Sequence, residues 1–408
     1  MNLLWPGDER AGDLFSDAAV LAAMVRVEEA WLDALVAGGI APAGARAALA
    51  GLVGPADVTQ LAEGAEGGGN PVIGLLRLLR SRLGEGEPAT WLHRGLTSQD
   101  TVDTALVLCL RDCLDRVTDD VAAQARALAR LADDHRATAM AGRTLTQHAV
   151  PITFGLKAAG WLDGLLLADA QLRRCRESLP SYAGGAAGTL SAVVELARVT
   201  PDPQATALAV VRHLTQALGL DGGANPWHPN RGALTQTADA LVGLADVWGR
   251  IAGDVALLAR PEIGELAEPA VAGRGGSSTM PHKSNPVLSV LLVRHARWAP
   301  AEAATLHVAA GSYTDERPVG SWHAEWDPLR LLARRSVVAA SQAAELLAGL
   351  RVDVERMRVG ADEESLRAEQ QTMAGLIGQP PAPDYLGLSD TLVDAALERA
   401  AHAQKELS

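Results

Sequence analysis

The sequence predicts an all-α protein in which an elongated central bundle of long helices is flanked by two smaller helical domains. Apolar residues make up 48% of the chain and are mostly Ala, Leu and Val, of which Ala and Leu are strong helix formers. Runs that alternate β-branched or aromatic residues with polar ones are nearly absent, as are Asn-Gly or Asp-Gly turns between such runs. One long stretch, residues 96–141, contains neither Gly nor Pro. These observations together favour long helices over strands.

Residues 96–141 carry a single apolar stripe at helical spacing. The Leu and Val residues of this stripe recur at steps of three, four or seven, namely Leu106, Leu110, Leu114, Val117, Val121, Leu128 and Leu131. This spacing predicts one helix of roughly 30 residues, about 45 Å long. Similar segments at 153–172, 234–260, 287–299 and 329–350 predict the other long helices of the bundle.

Shorter elements are predicted on either side of the bundle. Residues 17–37 are periodic, residues 64–71 form a Gly-rich break, and residues 389–405 are again helical after a Pro-rich stretch. A chain of 408 residues is also too long for one ordinary core. We therefore expect an N-terminal helical domain (1–105), a central bundle (106–350) and a short C-terminal helical domain (351–408).

Composition limits the partners and the compartment. The net charge of −13, from 36 basic and 49 acidic residues, argues against nucleic acid or an anionic membrane surface, but leaves room for a small anionic substrate. No apolar run is long enough to span a membrane, and no signal segment precedes the first helix. Three Cys imply no disulfide framework, and Cys109 and Cys113 suit a packed core better than a metal site. We expect a soluble, cytoplasmic protein.

Residues 273–286, here called the serine loop, carry the clearest chemical pattern. Three Gly in this loop allow tight bending and let backbone N–H groups approach an anion. Ser277 or Ser278 could act as a nucleophile or base, and Lys283 and Asn285 could hold negative charge. The alternative is an ordinary solvated loop between helices, which leaves the Met-Pro-His-Lys-Ser-Asn-Pro run unexplained.

A second chemical segment, His93-Arg-Gly-Leu-Thr-Ser-Gln-Asp100, precedes the longest predicted helix. Thr97, Ser98 and Asp100 are all good N-cap residues, although one would suffice for a cap. With His93 and Arg94 they are typical of an anion-binding helix start.

Two further segments combine polar side chains with special backbone residues. In Gly142-Arg-Thr-Leu-Thr-Gln-His-Ala-Val-Pro151, Thr144, Gln147 and His148 could bind a ligand, although a lone His is more often structural. The other segment is Arg317-Pro-Val-Gly-Ser-Trp-His-Ala-Glu-Trp326. Its Arg317 could pair with a substrate carboxylate or merely with Glu316. Four segments so far apart in sequence can form one site only if the helix ends cluster or if different subunits each contribute a segment. We therefore expect a homo-oligomer with sites shared between subunits.

Three of these segments resemble the shared regions of the fumarase/aspartase superfamily. Gly276-Ser-Ser-Thr-Met-Pro-His-Lys-Ser-Asn-Pro286 is similar to its signature loop, and the segments at 93–104 and 142–151 are similar to its other two regions. The resemblance covers roughly residues 10–365 and implies the all-α fold predicted above. Within the superfamily the chain is most similar to bacterial 3-carboxy-cis,cis-muconate cycloisomerases, with adenylosuccinate lyases next. The segments that carry this similarity are Asn70-Pro-Val-Ile73, Pro226-Trp-His-Pro-Asn-Arg231, residues 316–326 and Asp384-Tyr-Leu-Gly387.

The resemblance implies a reaction and a role for each site residue. A cycloisomerase of this family adds a carboxylate of 3-carboxy-cis,cis-muconate to a double bond, giving 4-carboxymuconolactone in the protocatechuate branch of the β-ketoadipate pathway. Ser277 would transfer the proton, with Ser278 beside it, while Lys283, Asn285 and loop N–H groups stabilise the carbanion's carboxylate. His148 is the third candidate catalytic residue, and both His148 and His93 are candidates for orienting carboxylates. The remaining candidates for substrate binding are Arg94, Thr97, Ser98, Thr144, Gln147 and Arg317.

The resemblance further implies a small polycarboxylate substrate, no metal and no organic cofactor, and a homotetramer whose sites each draw on several subunits. The chain departs from the family at two places. Leu145 stands where many lyases have a proton-transferring His and the cycloisomerases usually have Trp, which argues against a lyase. The C-terminal domain is also shortened after residue 365. The alternatives are a β-elimination lyase that releases fumarate, similar to adenylosuccinate lyase, and a non-catalytic relative.

Overall fold

The fold is all-α, as predicted. A computed structural model of the chain describes residues 2–181, 183–221, 228–277, 279–280, 283–362 and 364–405. Four helices precede the central bundle: α1 Asp17–Ala37, α2 Val58–Ala65, α3 Val72–Leu83 and α4 Glu87–Trp91. The bounds of α1 agree with the predicted segment 17–37, and Ser16 caps this helix by accepting the Ala19 N–H at 3.1 Å.

Five long helices of the described chain form the central bundle. The elements from residue 98 to residue 352 are, in chain order, α5 Ser98–Asp134, β1 Ala139–Thr144, β2 Gln147–Thr153, α6 Phe154–Glu177, α7 Ser191–Leu196, α8 Pro203–Leu218, α9 Gly232–Leu258, β3 Leu266–Ala267, α10 Val287–Gly311, α11 Ser321–Ala324, α12 Trp326–Ala348 and β4 Arg351–Val352. The longest, α5, has 37 residues and spans about 55 Å, so it is longer than the predicted 30 residues.

Helices α5, α9 and α12 run in the same direction. Near the start of α5, Asp103 meets Arg231, which immediately precedes α9, and Arg231 also pairs with Glu325, which immediately precedes α12. Further along α5, the side chain of Gln124 accepts the Trp248 indole N–H of α9 at 2.8 Å. The same side chain donates to a carbonyl of α12 at 2.9 Å.

Helices α6 and α10 run in the opposite direction. Phe154, at the start of α6, packs edge-on against His135 just beyond the end of α5. Arg176, near the end of α6, pairs with Asp115 in the first half of α5. Helix α10 was predicted to end at 299, but it continues through Pro300 to Gly311. Pro300 lacks one backbone N–H, and packing against α9 and α12 evidently outweighs that loss.

A β-hairpin follows α5, although the sequence gave almost no strand signal. Strands β1 and β2 pair antiparallel, and the two residues between them, Leu145 and Thr146, have φ of 48° and 70°. Positive φ at both positions is the geometry of a tight hairpin turn. Thr144, Gln147 and His148 therefore lie on a hairpin, and the expectation of a loop at a helix end was wrong for this region.

The described residues of the C-terminal part form three α-helices, α13 Val354–Ala361, α14 Ala368–Leu376 and α15 Ser389–Lys405. The short strands β3 and β4 pair antiparallel just before it. Helix α15 packs back onto α6 and α5, where Arg399 pairs with Asp163 and Arg136 with Asp394. The boundaries proposed near residues 105 and 350 stay predictions.

Helices in the described part of the chain are not apolar enough over sufficient length to cross a membrane. All three cysteines are free and buried. Burial, with a smaller contribution from Asp112, raises the pKa of Cys109 to about 12. This thiol therefore belongs to the core and stays protonated at neutral pH.

Candidate active site

The start of α5 is built around Asp100. One carboxylate oxygen of this fully buried residue accepts the Thr97 N–H at 2.9 Å, which closes the N-terminus of the helix. The same carboxylate accepts the Gly184 and Gly185 N–H groups and lies 2.6 Å from the His228 ring. Asp100 is therefore committed to structure, while Thr97 and Ser98 at the helix start are half-buried.

Arg317 lies against the same helix start, 220 positions away in sequence. Its guanidinium donates to the Thr97 hydroxyl at 2.7 Å and to the Gln99 side-chain oxygen at 3.2 Å. Both acceptors are neutral, and no carboxylate of the described residues, Glu316 included, lies within ion-pair distance of the Arg317 guanidinium. The charge of Arg317 is thus oriented by two contacts but not neutralised, which suits a residue that receives a substrate carboxylate.

The segment after Arg317 is anchored to α5 by a buried ionic cluster. Trp322 donates its indole N–H to Asp103 at 2.8 Å, and Arg231 pairs with both Asp103 and Glu325. Burial disfavours the charge of Arg231, but the attraction of Asp103 and Glu325 outweighs burial and raises its pKa. This cluster fixes the path of the chain between α10 and α12, and so holds Arg317 beside Thr97.

A residue of α1 fixes the position of the His93 side chain. Its Nδ1 lies 2.8 Å from a carboxylate oxygen of Glu28, which is fully buried. One turn further along α1, Trp31 donates its indole N–H to the Arg94 carbonyl at 2.8 Å. The Arg94 guanidinium itself donates to the Thr90 carbonyl at 2.6 Å and is exposed. Sequence reasoning missed Glu28, because no local pattern marks a partner 65 positions away.

The hairpin carries the second group of candidates at its tip. Thr144, Gln147 and His148 are exposed, and Leu145 at the turn is 95% exposed. Below the tip, Arg143 donates twice to the Glu265 carboxylate, at 2.7 and 2.9 Å. Leu145 is therefore the single apolar side chain at an exposed tip whose base is held by an ion pair.

The serine loop places Ser277 where its hydroxyl oxygen accepts backbone N–H groups. The N–H groups of Met280 and Thr279 lie 3.2 and 3.4 Å from the Ser277 Oγ. Such donors would stabilise an alkoxide at Ser277. Lys283 is exposed near them, and Ser278 lies outside the described residues.

Asn285 closes the base of the serine loop. Its backbone and side-chain N–H groups both donate to the Gly275 carbonyl, at 2.8 and 3.0 Å. Gly275 has φ of 78°, and a Cβ there would lie 2.7 Å from the Asn285 carbonyl oxygen. The Asn285 side chain is thus engaged within the loop, and its expected contact with substrate stays a prediction.

Further contacts tie the serine loop to the bundle. Arg274 pairs with Glu345 of α12 at 2.5 Å, and Glu268 accepts the first free N–H groups of α10. Between these anchors lies an open cleft of about 460 Å³, whose lining includes Ser284, Asn285 and Arg351. The loop therefore borders a recess of substrate size.

The candidate residues fall into two groups at opposite ends of one subunit. His93, Arg94, Thr97, Ser98 and Arg317 gather at the start of α5. The hairpin follows the end of α5, about 55 Å away, and the segment leading to the serine loop joins it through Glu265. One subunit therefore does not bring the two groups together.

Comparisons with known proteins agree with this architecture. A family model described as lyase matches residues 63–297. Curated relatives include the nitrosuccinate lyase of Streptomyces davaonensis, 46% identical over 351 residues, which cover 85% of this chain and 73% of the relative. This chain belongs to the fumarase/aspartase superfamily of lyases.

Other relatives of this chain are named as 3-carboxy-cis,cis-muconate cycloisomerases, the group to which the sequence motifs are most similar. The 3-carboxy-cis,cis-muconate cycloisomerase of Pseudomonas aeruginosa is 39% identical over 403 residues, covering 97% of this chain and 84% of the relative. Among solved structures, the 3-carboxy-cis,cis-muconate lactonizing enzyme of Pseudomonas putida superposes with a TM-score of 0.84 at 30% identity. That match covers 97% of each chain. The chain is thus an enzyme of this lyase superfamily.

Proposed function

We propose that this enzyme is a 3-carboxy-cis,cis-muconate cycloisomerase. Leu145 carries the proposal: it occupies the hairpin position at which many superfamily lyases have a proton-transferring His, and it is 95% exposed. A Leu there supplies no acid to a leaving group. The reaction must therefore add or expel a group that needs no proton because it is stable as an anion. A carboxylate is such a group.

The proposed reaction needs one proton transfer. A carboxylate oxygen of the muconate forms a bond to one carbon of a double bond, and the electron pair moves to the neighbouring carbon, beside a second carboxylate. Lys283 and the loop N–H groups stabilise the charge that develops on that carboxylate. The Ser277 hydroxyl then gives its proton to the carbon, and the alkoxide, held by the Met280 and Thr279 N–H groups, recovers a proton from water. The attacking group is tethered, so its approach costs little entropy.

A second candidate is elimination from a nitro-substituted succinate. The identity of 46% to a nitrosuccinate lyase favours it. Loss of nitrite would also release a stable anion that requires no protonation, so Leu145 is compatible with this reaction as well. An adenylosuccinate-type elimination, which expels an amine nitrogen, fits Leu145 less well because the leaving group needs a proton.

We propose further that the enzyme is a homotetramer with shared sites. The two groups of candidate residues lie about 55 Å apart along α5, which is too far for one small substrate. If a neighbouring subunit runs antiparallel along the bundle, its start of α5 lies beside the first subunit's hairpin and serine loop. Each site would then draw on several chains.

An absorbance assay with three substrates tests the proposal. With 3-carboxy-cis,cis-muconate we expect loss of the diene absorbance, with no nitrite from nitrosuccinate and no fumarate from adenylosuccinate. Nitrite release at a higher kcat/KM than muconate turnover would transfer the assignment to the second candidate. Muconate left unchanged by a folded, oligomeric enzyme would refute the first.

A further inference from the structure

Glu28 is a buried carboxylate whose position packing does not explain. Its side chain is fully buried, and one oxygen accepts the Thr101 hydroxyl at 2.7 Å and lies 2.8 Å from the His93 Nδ1. The other oxygen has no hydrogen-bond partner among the described residues. A half-satisfied buried carboxylate costs stability, so a residue of this kind is retained for its charge and its acceptor geometry.

The backbone of His93 points to the same conclusion. Its φ is 63°, in the left-handed region that residues other than glycine seldom occupy. Strain of this kind persists only where surrounding contacts impose it, and it gathers at functional positions. Here two contacts impose it: the Glu28 carboxylate at the His93 ring, and the hydrogen bond from the Trp31 indole to the Arg94 carbonyl. With Nδ1 facing Glu28, Nε2 is the nitrogen left to face outward, and it has no partner in the described chain.

We propose that Glu28 is a positioning residue that aims the His93 Nε2 at a carboxylate of the substrate. In the complex Nδ1 donates to Glu28 and Nε2 donates to the substrate carboxylate. The pair adds an N–H donor beside Arg317 at this end of the site, without adding net charge. This inference rests on the proposed function, in that the substrate is a polycarboxylate.

A double-mutant cycle with Glu28→Gln and His93→Gln tests the coupling. Because Glu28 acts through His93 on binding, Glu28→Gln alone raises KM about tenfold or more and lowers kcat by less. In the His93→Gln background the same change alters KM by less than about twofold. The proposal would be overturned if the two substitutions raised KM independently, so that the rise in the double mutant equalled the product of the single rises. An unchanged KM in Glu28→Gln would overturn it as well.

Glu29→Gln is the matched control. Glu29 is the next residue of α1, and its carboxylate accepts the Leu49 and Ala50 N–H groups, which an amide oxygen can also accept. We expect KM to stay at the wild-type value in this variant. If Glu28→Gln does not fold, Glu28→Asp, which keeps the charge but shortens the reach, is compared in the two backgrounds and judged by the same outcomes.

A measurement without substrate separates this proposal from the proposed function. In protein labelled with ¹⁵N at histidine, the His93 signals are those missing from His93→Gln. We expect a protonated, hydrogen-bonded Nδ1 in the wild type and loss of that signature in Glu28→Gln. If the signature is lost but muconate is not turned over, the proposed function fails while the pair stands. An unchanged signature in Glu28→Gln refutes the pair itself.

Discussion

Arg143 and Glu265 join the hairpin to the segment that leads to the serine loop, at one end of the bundle. The Arg143 guanidinium donates to both Glu265 oxygens, at 2.9 and 2.7 Å, and the Glu265 side chain is 3% exposed. Arg143 belongs to β1, and Glu265 lies between α9 and the serine loop. The orientation of the hairpin tip is thus set by the segment that leads to Ser277.

Breaking this ion pair should destabilise the enzyme and misplace the hairpin. Glu265→Gln leaves the largely buried Arg143 guanidinium without a carboxylate, and loss of one partner of a buried pair typically costs about 3–5 kcal/mol. We expect the free energy of unfolding in urea to fall by about that amount and kcat to fall as well. Arg358→Gln, which removes exposed ion pairs with Glu355 and Asp362, is the control and should change stability by less than about 1 kcal/mol. Equal effects of the two changes would contradict this account.

Gly275 and Gly273 form a matched pair for testing the base of the serine loop. Both have φ near 80°, but a Cβ at Gly275 would meet the Asn285 carbonyl at 2.7 Å, whereas a Cβ at Gly273 would meet open space. Each change to Ala carries a left-handed strain of about 1–2 kcal/mol. Only Gly275→Ala also displaces the loop, so its kcat should fall at least tenfold below that of Gly273→Ala. The values of kcat are compared by steady-state kinetics. A similar fall in kcat in both variants would show that the hydrogen bonds between Asn285 and Gly275 are unimportant for turnover.

The sequence predicted what local pattern determines and missed what distant contacts determine. The bounds 17–37 and 389–405 matched α1 and α15 because apolar periodicity and capping residues are local. The hairpin was missed because Leu145 and Thr146 are unusual at positive φ, and its turn is imposed by anchors such as Glu265. The partnership of Glu28 with His93 has no local pattern at all.

Ser277→Ala tests the proton-transfer residue. Removal of the hydroxyl should abolish turnover, while binding of the substrate stays within about tenfold of wild type because the charged anchors remain. Binding measured by calorimetry and turnover by the absorbance assay give the two quantities. Retained turnover would mean that another group, such as Ser278, moves the proton.

Leu145→Ala tests whether the hairpin tip enters a site. The side chain is 95% exposed in the subunit, so its removal should leave the midpoint of thermal unfolding within about 1 °C of wild type. KM should nevertheless rise several-fold if the tip contacts substrate in the assembled enzyme. An unchanged KM would place the tip outside the site.

Arg317→Lys tests recognition of the substrate carboxylate at the other end of α5. Lysine keeps the charge, but it cannot donate to both the Thr97 hydroxyl and the Gln99 oxygen while presenting a planar pair of N–H groups to a carboxylate. We therefore expect KM to rise about tenfold to a hundredfold with kcat changed less, as the loss of a charge-assisted hydrogen bond predicts. The ion pair of Arg231 with Asp103 and Glu325 does not involve Arg317, so thermal stability should remain near the wild-type value. A fall in stability without a change in KM would make Arg317 a structural residue that fastens the α10–α12 connection to α5.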